Sequence, residues 1–96
     1  MRFALSFTRE AASVLKRLEA ECDPKLRKVR SALGLLESNP RHPGLSTHEF
    51  TSLSGPSGEK VFEAYVENRN PGAWRIFWYY GPEPGMIRIL NIVPHP

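Results

Sequence analysis

The 96-residue chain has one cysteine (Cys22), two methionines and no apolar run near the roughly 20 residues that a membrane-spanning helix requires. A single thiol cannot close an internal disulfide, which fits a reducing compartment and excludes a disulfide-stapled secreted scaffold. Residues 1–10 alternate apolar and polar where a secretory signal would hold a continuous apolar stretch. Together these absences point to a cytoplasmic protein. No glycine-rich loop has the spacing that cradles phosphate. Ser57, within Gly55-Pro56-Ser57-Gly58, lacks the flanking glycine spacing of a nucleophile elbow and reads as a turn residue. His42, His48 and His95 show no tight ligand spacing, so no metal or other cofactor is expected. Repeats and low-complexity tracts are also missing.

What is present is an ordinary globular composition, 41% apolar and 24% charged. A chain of this length is expected to be a single domain over 1–96, burying roughly 60–65% of its unfolded surface. Its net charge of +3 is unevenly spread: residues 1–48 hold nine Lys/Arg against five Asp/Glu, and residues 49–96 hold four against five. The excess is densest at Lys25, Arg27, Lys28 and Arg30. Such a run is either a solvated helix face or a surface for phosphate polymers.

Period decides the elements. Phe3, Leu5 and Phe7 alternate with polar or small residues, which predicts a half-buried strand. Thr8 can cap a helix whose apolar stripe is Ala11, Val14, Leu15, Leu18 and Cys22. Asp23-Pro24 restarts the chain as cap and first helical residue, and Leu26, Val29, Leu33 and Leu36 form a second stripe ending before Asn39-Pro40. Four strands are expected after a turn-rich connection over 39–47: His48 to Leu53, Lys60 to Glu67, Ala73 to Tyr80 and Met86 onward. Turns at Ser54–Gly58, Asn68–Gly72 and Gly81–Gly85 separate them. The order β-α-α-β-β-β-β defines an α+β fold, a twisted antiparallel sheet with a two-helix hairpin packed on one face.

Alternation also assigns faces. Phe62, Ala64 and Val66 oppose Val61, Glu63 and Tyr65, while Trp74, Ile76 and Trp78 oppose Arg75, Phe77 and Tyr79. With the bulkier sets toward the helices, Glu63, Tyr65 and Arg75 share the other, open face. The parity of the last strand stays open: one register puts Leu90 and Ile92 in the core, with Asn91, Val93 and His95 on the face of Arg75. Arg88 then has core parity, which requires a sheet edge or a bulge. A carboxylate, a phenol, an arginine and an imidazole on one face suit phosphodiester cleavage by the 2′-hydroxyl of RNA. Arg75 would hold the phosphate with two donors, His95 would act as acid or base, Glu63 as partner base, and Tyr65 would stack or hydrogen-bond. Plainer roles fit the same residues: a cross-strand ion pair for Arg75 and Glu63, a solvated tail for His95, and sheet-surface packing for the tyrosines.

The element order, the Asn39-Pro40 helix end, and the series Glu63-Ala-Tyr65, Trp74-Arg-Ile-Phe-Trp78 and Ile87 to His95 resemble the RelE/ParE superfamily, the small toxins of bacterial type II toxin–antitoxin systems. The resemblance runs over nearly the whole chain and lies closest to the RelE/YafQ-like branch. It implies a ribosome-dependent, metal-independent endoribonuclease (an mRNA interferase) that cuts messenger RNA and so inhibits translation. Arg75 then maps to the phosphate-binding arginine, His95 to a catalytic histidine after the last strand, and Glu63 and Tyr65 to acidic and aromatic site positions. RelE itself carries lysines on the strand that here holds Glu63 and Tyr65. The resemblance further implies a cognate antitoxin as partner and ribosomal RNA docking through Lys25, Arg27, Lys28 and Arg30. Two alternatives stay open, a ParE-like inhibitor of DNA gyrase and a non-catalytic member that only binds its antitoxin.

Overall fold

Alternation at the N-terminus and a 3.6-residue period after it give the first two elements, as expected. A computed structural model describes residues 2–67 and 72–94. It contains β1 (Ala4–Phe7), α1 (Arg9–Ala20), α2 (Lys25–Ser38), a short 3₁₀ turn (Pro43–Leu45), β2 (His48–Ser54), β3 (Lys60–Tyr65), β4 (Trp74–Tyr80) and β5 (Met86–Pro94). This is the expected order, with two helices and a five-stranded sheet. The expected turn residues 68–71 and His95 lie outside the described residues.

Thr8 caps α1, its hydroxyl oxygen accepting from Ala11 N–H at 3.1 Å. The helix closes with Cys22 in the left-handed region (φ 49°), while Asp23 N–H bonds the Leu18 carbonyl and Cys22 N–H bonds the Glu19 carbonyl. That pattern is a Schellman close in which cysteine occupies the usual glycine position. Asp23 then caps the next helix, its carboxylate accepting from Lys25 N–H at 2.9 Å. Pro24 therefore precedes α2, which begins at Lys25 rather than at the proline.

Sheet order is β1-β5-β4-β3-β2; β2 to β5 form an antiparallel meander, and β1 joins its edge parallel to β5. Val29, Ala32, Leu33 and Leu36 of α2 and Ala11 and Leu18 of α1 pack with Ala64, Ile76, Trp78, Ile87, Ile89 and Ile92 of the sheet. Each large aliphatic side chain buried there contributes about 1.5–3 kcal/mol.

In the last strand a bulge, one of the two ways of accommodating Arg88, settles the parity. Phe77 pairs with Asn91 but Trp78 pairs with Ile89, so Leu90 is an extra residue in a β-bulge. The bulge turns Ile89 and Ile92 to the core and moves Arg88, opposite Tyr79, to the other face. Leu90 is consequently only half-buried and is no core residue. Its carbonyl accepts from the Thr8 hydroxyl at 2.6 Å, so one side chain caps α1 and ties it to the bulge.

Candidate functional site

The face away from the helices carries a row of mostly polar side chains that begins on β2 and crosses to β5. Tyr65 of β3 stands opposite Arg75 of β4, Glu63 opposite Phe77, and His48 of β2 opposite Glu63. Asn91 and Val93 of β5 continue the row opposite Phe77 and Arg75. Period 2 in β3 and β4 therefore brings Glu63, Tyr65 and Arg75 together as expected. The face is not open, however: Glu63 is 2% exposed and Arg75 9%, and Val61, Phe77 and Tyr79 are buried around them. Phe50 of β2 packs on Phe77 with ring centres 4.8 Å apart, which accounts for part of this cover.

Glu63 is held from both sides. One carboxylate oxygen accepts from the Arg75 guanidinium, and the other lies 2.7 Å from His48 Nε2. His48 Nδ1 lies 3.1 Å from the Ser46 carbonyl oxygen. Both ring nitrogens thus face groups that only accept, so the imidazolium satisfies both and the neutral ring satisfies one. With the imidazolium, the row Arg75–Glu63–His48 carries one positive charge in excess.

Arg75 uses only part of its donor capacity on Glu63. Its Nε–H is buried without a protein partner among the described residues. The guanidinium carbon lies 5.2 Å from the Phe77 ring centre and 6.0 Å from that of Phe50, within cation–π range. A buried arginine with an unused donor and aromatic neighbours can accept a planar or tetrahedral oxyanion. His48 is the accessible member of the row, with 44% of its side chain exposed, and its ring lies 5.7 Å from that of Tyr65.

No motif marks His48 or Phe50 for this site, since His48 borders a turn-rich connection. Alternation within β2 puts both on one face, and that is the signal that would have found them. His95 lies outside the described residues. Among the described residues no three His, Cys, Asp or Glu side chains form a group able to hold a metal ion.

The basic run begins α2 but is largely neutralised. Lys25 Nζ and Lys28 Nζ lie 2.6 and 3.1 Å from the Glu67 carboxylate, and Arg30 lies 2.9 Å from Glu19. The Lys25 hydrogen bond, opposed by burial and aided by Lys28 and the Trp74 N–H, lowers the Glu67 pKa to about 2. Arg27 is exposed and has no ion pair among the described residues.

Comparison with solved structures identifies the architecture. The chain superposes on the RelE of an archaeal RelE–RelB complex from Pyrococcus horikoshii OT3 with TM-score 0.67 and 16% identity, covering 98% of this chain and 96% of that one. A YoeB/ParE toxin from Agrobacterium tumefaciens gives TM-score 0.71 at 8% identity, over 98% of this chain and 100% of that one. The YoeB dimer from Staphylococcus aureus gives 0.64 at 13% identity over all of both chains. The fold is RelE-like. No family model matches the chain, and no curated protein matches it in sequence. The RelE-like sheet therefore has its buried Arg75–Glu63 pair and His48 on the face opposite the helix hairpin. Among the described residues no helix is long and apolar enough to cross a membrane.

Proposed function

We propose that this chain is the cytoplasmic toxin of a type II toxin–antitoxin pair and that it cleaves messenger RNA on the ribosome. The observation that carries the reading is the Arg75–Glu63–His48 row on a RelE-like sheet. It supplies a phosphate-binding cation beside two proton-handling groups.

In this reading a phosphate enters past His48 and takes the free donors of Arg75, loosening the guanidinium from Glu63. The carboxylate then accepts the 2′-hydroxyl proton as the 2′-oxygen attacks phosphorus. The bond to the 5′-oxygen breaks, leaving a 2′,3′-cyclic phosphate, and an imidazolium protonates the departing oxygen and becomes the neutral ring. His95, which directly follows β5 in the sequence, is assigned that acid role. His48 orients Glu63 through their 2.7 Å contact and shares its proton. Tyr65, next to His48, is assigned to stacking on a substrate base. Arg75 concentrates positive charge where the phosphorane gains negative charge, the contribution that usually dominates such catalysis. Lys25, Arg27, Lys28 and Arg30 are assigned to ribosomal RNA, with Arg27 free of ion pairs among the described residues.

A cognate antitoxin is the expected protein partner, since the Pyrococcus horikoshii RelE was solved with RelB. The second reading is a gyrase inhibitor, favoured by the likeness to a protein described as a YoeB/ParE toxin. Induced expression separates the two. Messenger cleavage with growth arrest that Arg75→Lys and His95→Ala relieve supports the ribonuclease. Arrest indifferent to both variants, with double-strand breaks and loss of supercoiling activity, supports the gyrase inhibitor. Harmless expression of the folded protein supports an inert antitoxin binder.

A further inference from the structure

A second site lies around the edge of the sheet from the catalytic row. The connection after α2, the start of β2, Phe62 of β3 and the end of β4 line a cavity of about 380 Å³, within the roughly 300–1,000 Å³ typical of small-molecule sites. Arg41, His42 and His48 line it on one side and Phe62, Trp78 and Tyr80 on the other. The aromatic wall is internally fixed: Phe62 stacks on Trp78 at 4.9 Å, and Tyr80 meets the edge of Trp78 at 4.9 Å. Tyr80 is nonetheless 39% exposed, an unusual position for a large ring.

Two features indicate what this wall receives. The indole N–H of Trp78, in a residue only 1% exposed, has no hydrogen-bond partner among the described residues. A buried donor left unpaired is costly, by about 1–3 kcal/mol, and an acceptor in the cavity would remove that cost. The rim also carries cationic or donor groups and, among the described residues, no carboxylate. Arg41 is exposed with no ion pair among those residues. His42 Nδ1 accepts from Gly44 N–H at 2.9 Å, which leaves Nε2 as the donor of the neutral ring.

We propose that the cavity binds one nucleotide of single-stranded RNA, its base against Tyr80 and Phe62 with an acceptor toward Trp78 Nε1, and its phosphate at Arg41. A flat ligand with edge acceptors and an attached anion matches the aromatic wall and both of these features at once. The choice of RNA rests on the ribonuclease reading. Because His48 borders both the cavity and Glu63, the bound nucleotide flanks the one being cut and helps set its register.

The test is a titration of the ¹⁵N-labelled full chain with a short oligoadenylate, following the indole N–H signals of Trp74 and Trp78. A saturable shift at Trp78 is expected. Tyr80→Leu should weaken binding about tenfold, as loss of one stacked base does. Arg41→Gln should weaken it with a salt dependence reduced by about one counterion. Both side chains are solvent-exposed, so neither variant removes core. A deoxyribonucleotide of the same sequence should bind more weakly, and equal binding would overturn the assignment to RNA. Oligoadenylate binding that leaves the Trp78 indole unmoved would overturn the cavity proposal while sparing the ribonuclease reading. A Trp78 shift produced by an acidic, aromatic peptide but not by oligoadenylate would replace the nucleotide with a protein segment. Loss of ribosome-dependent cleavage with an intact Trp78 response would remove the ribonuclease reading and leave the nucleotide site.

Discussion

Replacing Glu63 with alanine tests the physical state of the site. Glu63 is 2% exposed and Arg75 9%, so the variant strands a guanidinium in a nearly dry layer between Phe50 and Phe77. Removing one partner of a buried pair costs about 3–5 kcal/mol, because the remaining charge keeps its desolvation penalty. A domain of this size has roughly 5–14 kcal/mol of total stability, so the loss is a large fraction of the whole. Urea unfolding should show a midpoint lower by on the order of 2 M, and the melting temperature should fall by about 4–8 °C per kcal/mol. Replacing both partners, Glu63→Leu with Arg75→Met, should cost only about 0–2 kcal/mol, since an apolar pair of similar volume leaves no charge uncompensated. The double variant is thus expected to be more stable than Glu63→Ala alone. A single-variant cost below about 1 kcal/mol, or a double variant worse than both singles combined, would refute a buried, mutually dependent ion pair.

Three further outcomes follow from local geometry. Cys22→Gly should stabilise the fold by about 0.5–1 kcal/mol, because Cys22 sits at φ 49°, where a side chain is strained and glycine is not; thermal melts under reducing conditions check it. Thr8→Val should cost about 1–2 kcal/mol, since one hydroxyl both caps α1 and bonds the bulge carbonyl of Leu90, and Thr8→Ser should recover most of it. Glu67 has its pKa lowered from 4.5 to about 2, so its stabilisation is complete above about pH 4.5 and fades as the pH falls toward 2. The full shift corresponds to about 3 kcal/mol, and solvent screening of the partly exposed lysines reduces it to about 1–2. The stability gap between the native chain and Glu67→Gln should therefore close across that range, and a gap independent of pH would contradict the assignment.

Much of this architecture is legible in the sequence because it rests on short-range periodicity. The alternation of Val61 to Tyr65 and Trp74 to Tyr80 is enough to put Glu63, Tyr65 and Arg75 on one face. Antiparallel pairing of two consecutive strands, β3 and β4, then brings them together. Leu90 shows where that logic stops. A bulge inserts one residue and reverses parity, so Leu90 leaves the core and Arg88 joins the other face. The bulged residue's carbonyl is bonded by a hydroxyl at Thr8, 82 positions away, a contact that no local pattern reveals. His48 illustrates a second limit, since its importance lies in the carboxylate opposite it on a neighbouring strand. The basic run is a third case. Its charge density is plain in sequence, but its neutralisation by Glu67 and Glu19 depends on where the sheet carries Glu67 relative to α2.

The ribonuclease reading is tested most directly in a cell-free translation reaction with a defined message, mapping new 5′ ends by primer extension. Cuts are expected only when ribosomes are present, and should disappear with Arg75→Lys and Glu63→Gln while both variants remain folded by circular dichroism. An intact message with undiminished translation at saturating protein would contradict it. Inhibition of gyrase supercoiling by the same preparation would then assign the chain to the second reading.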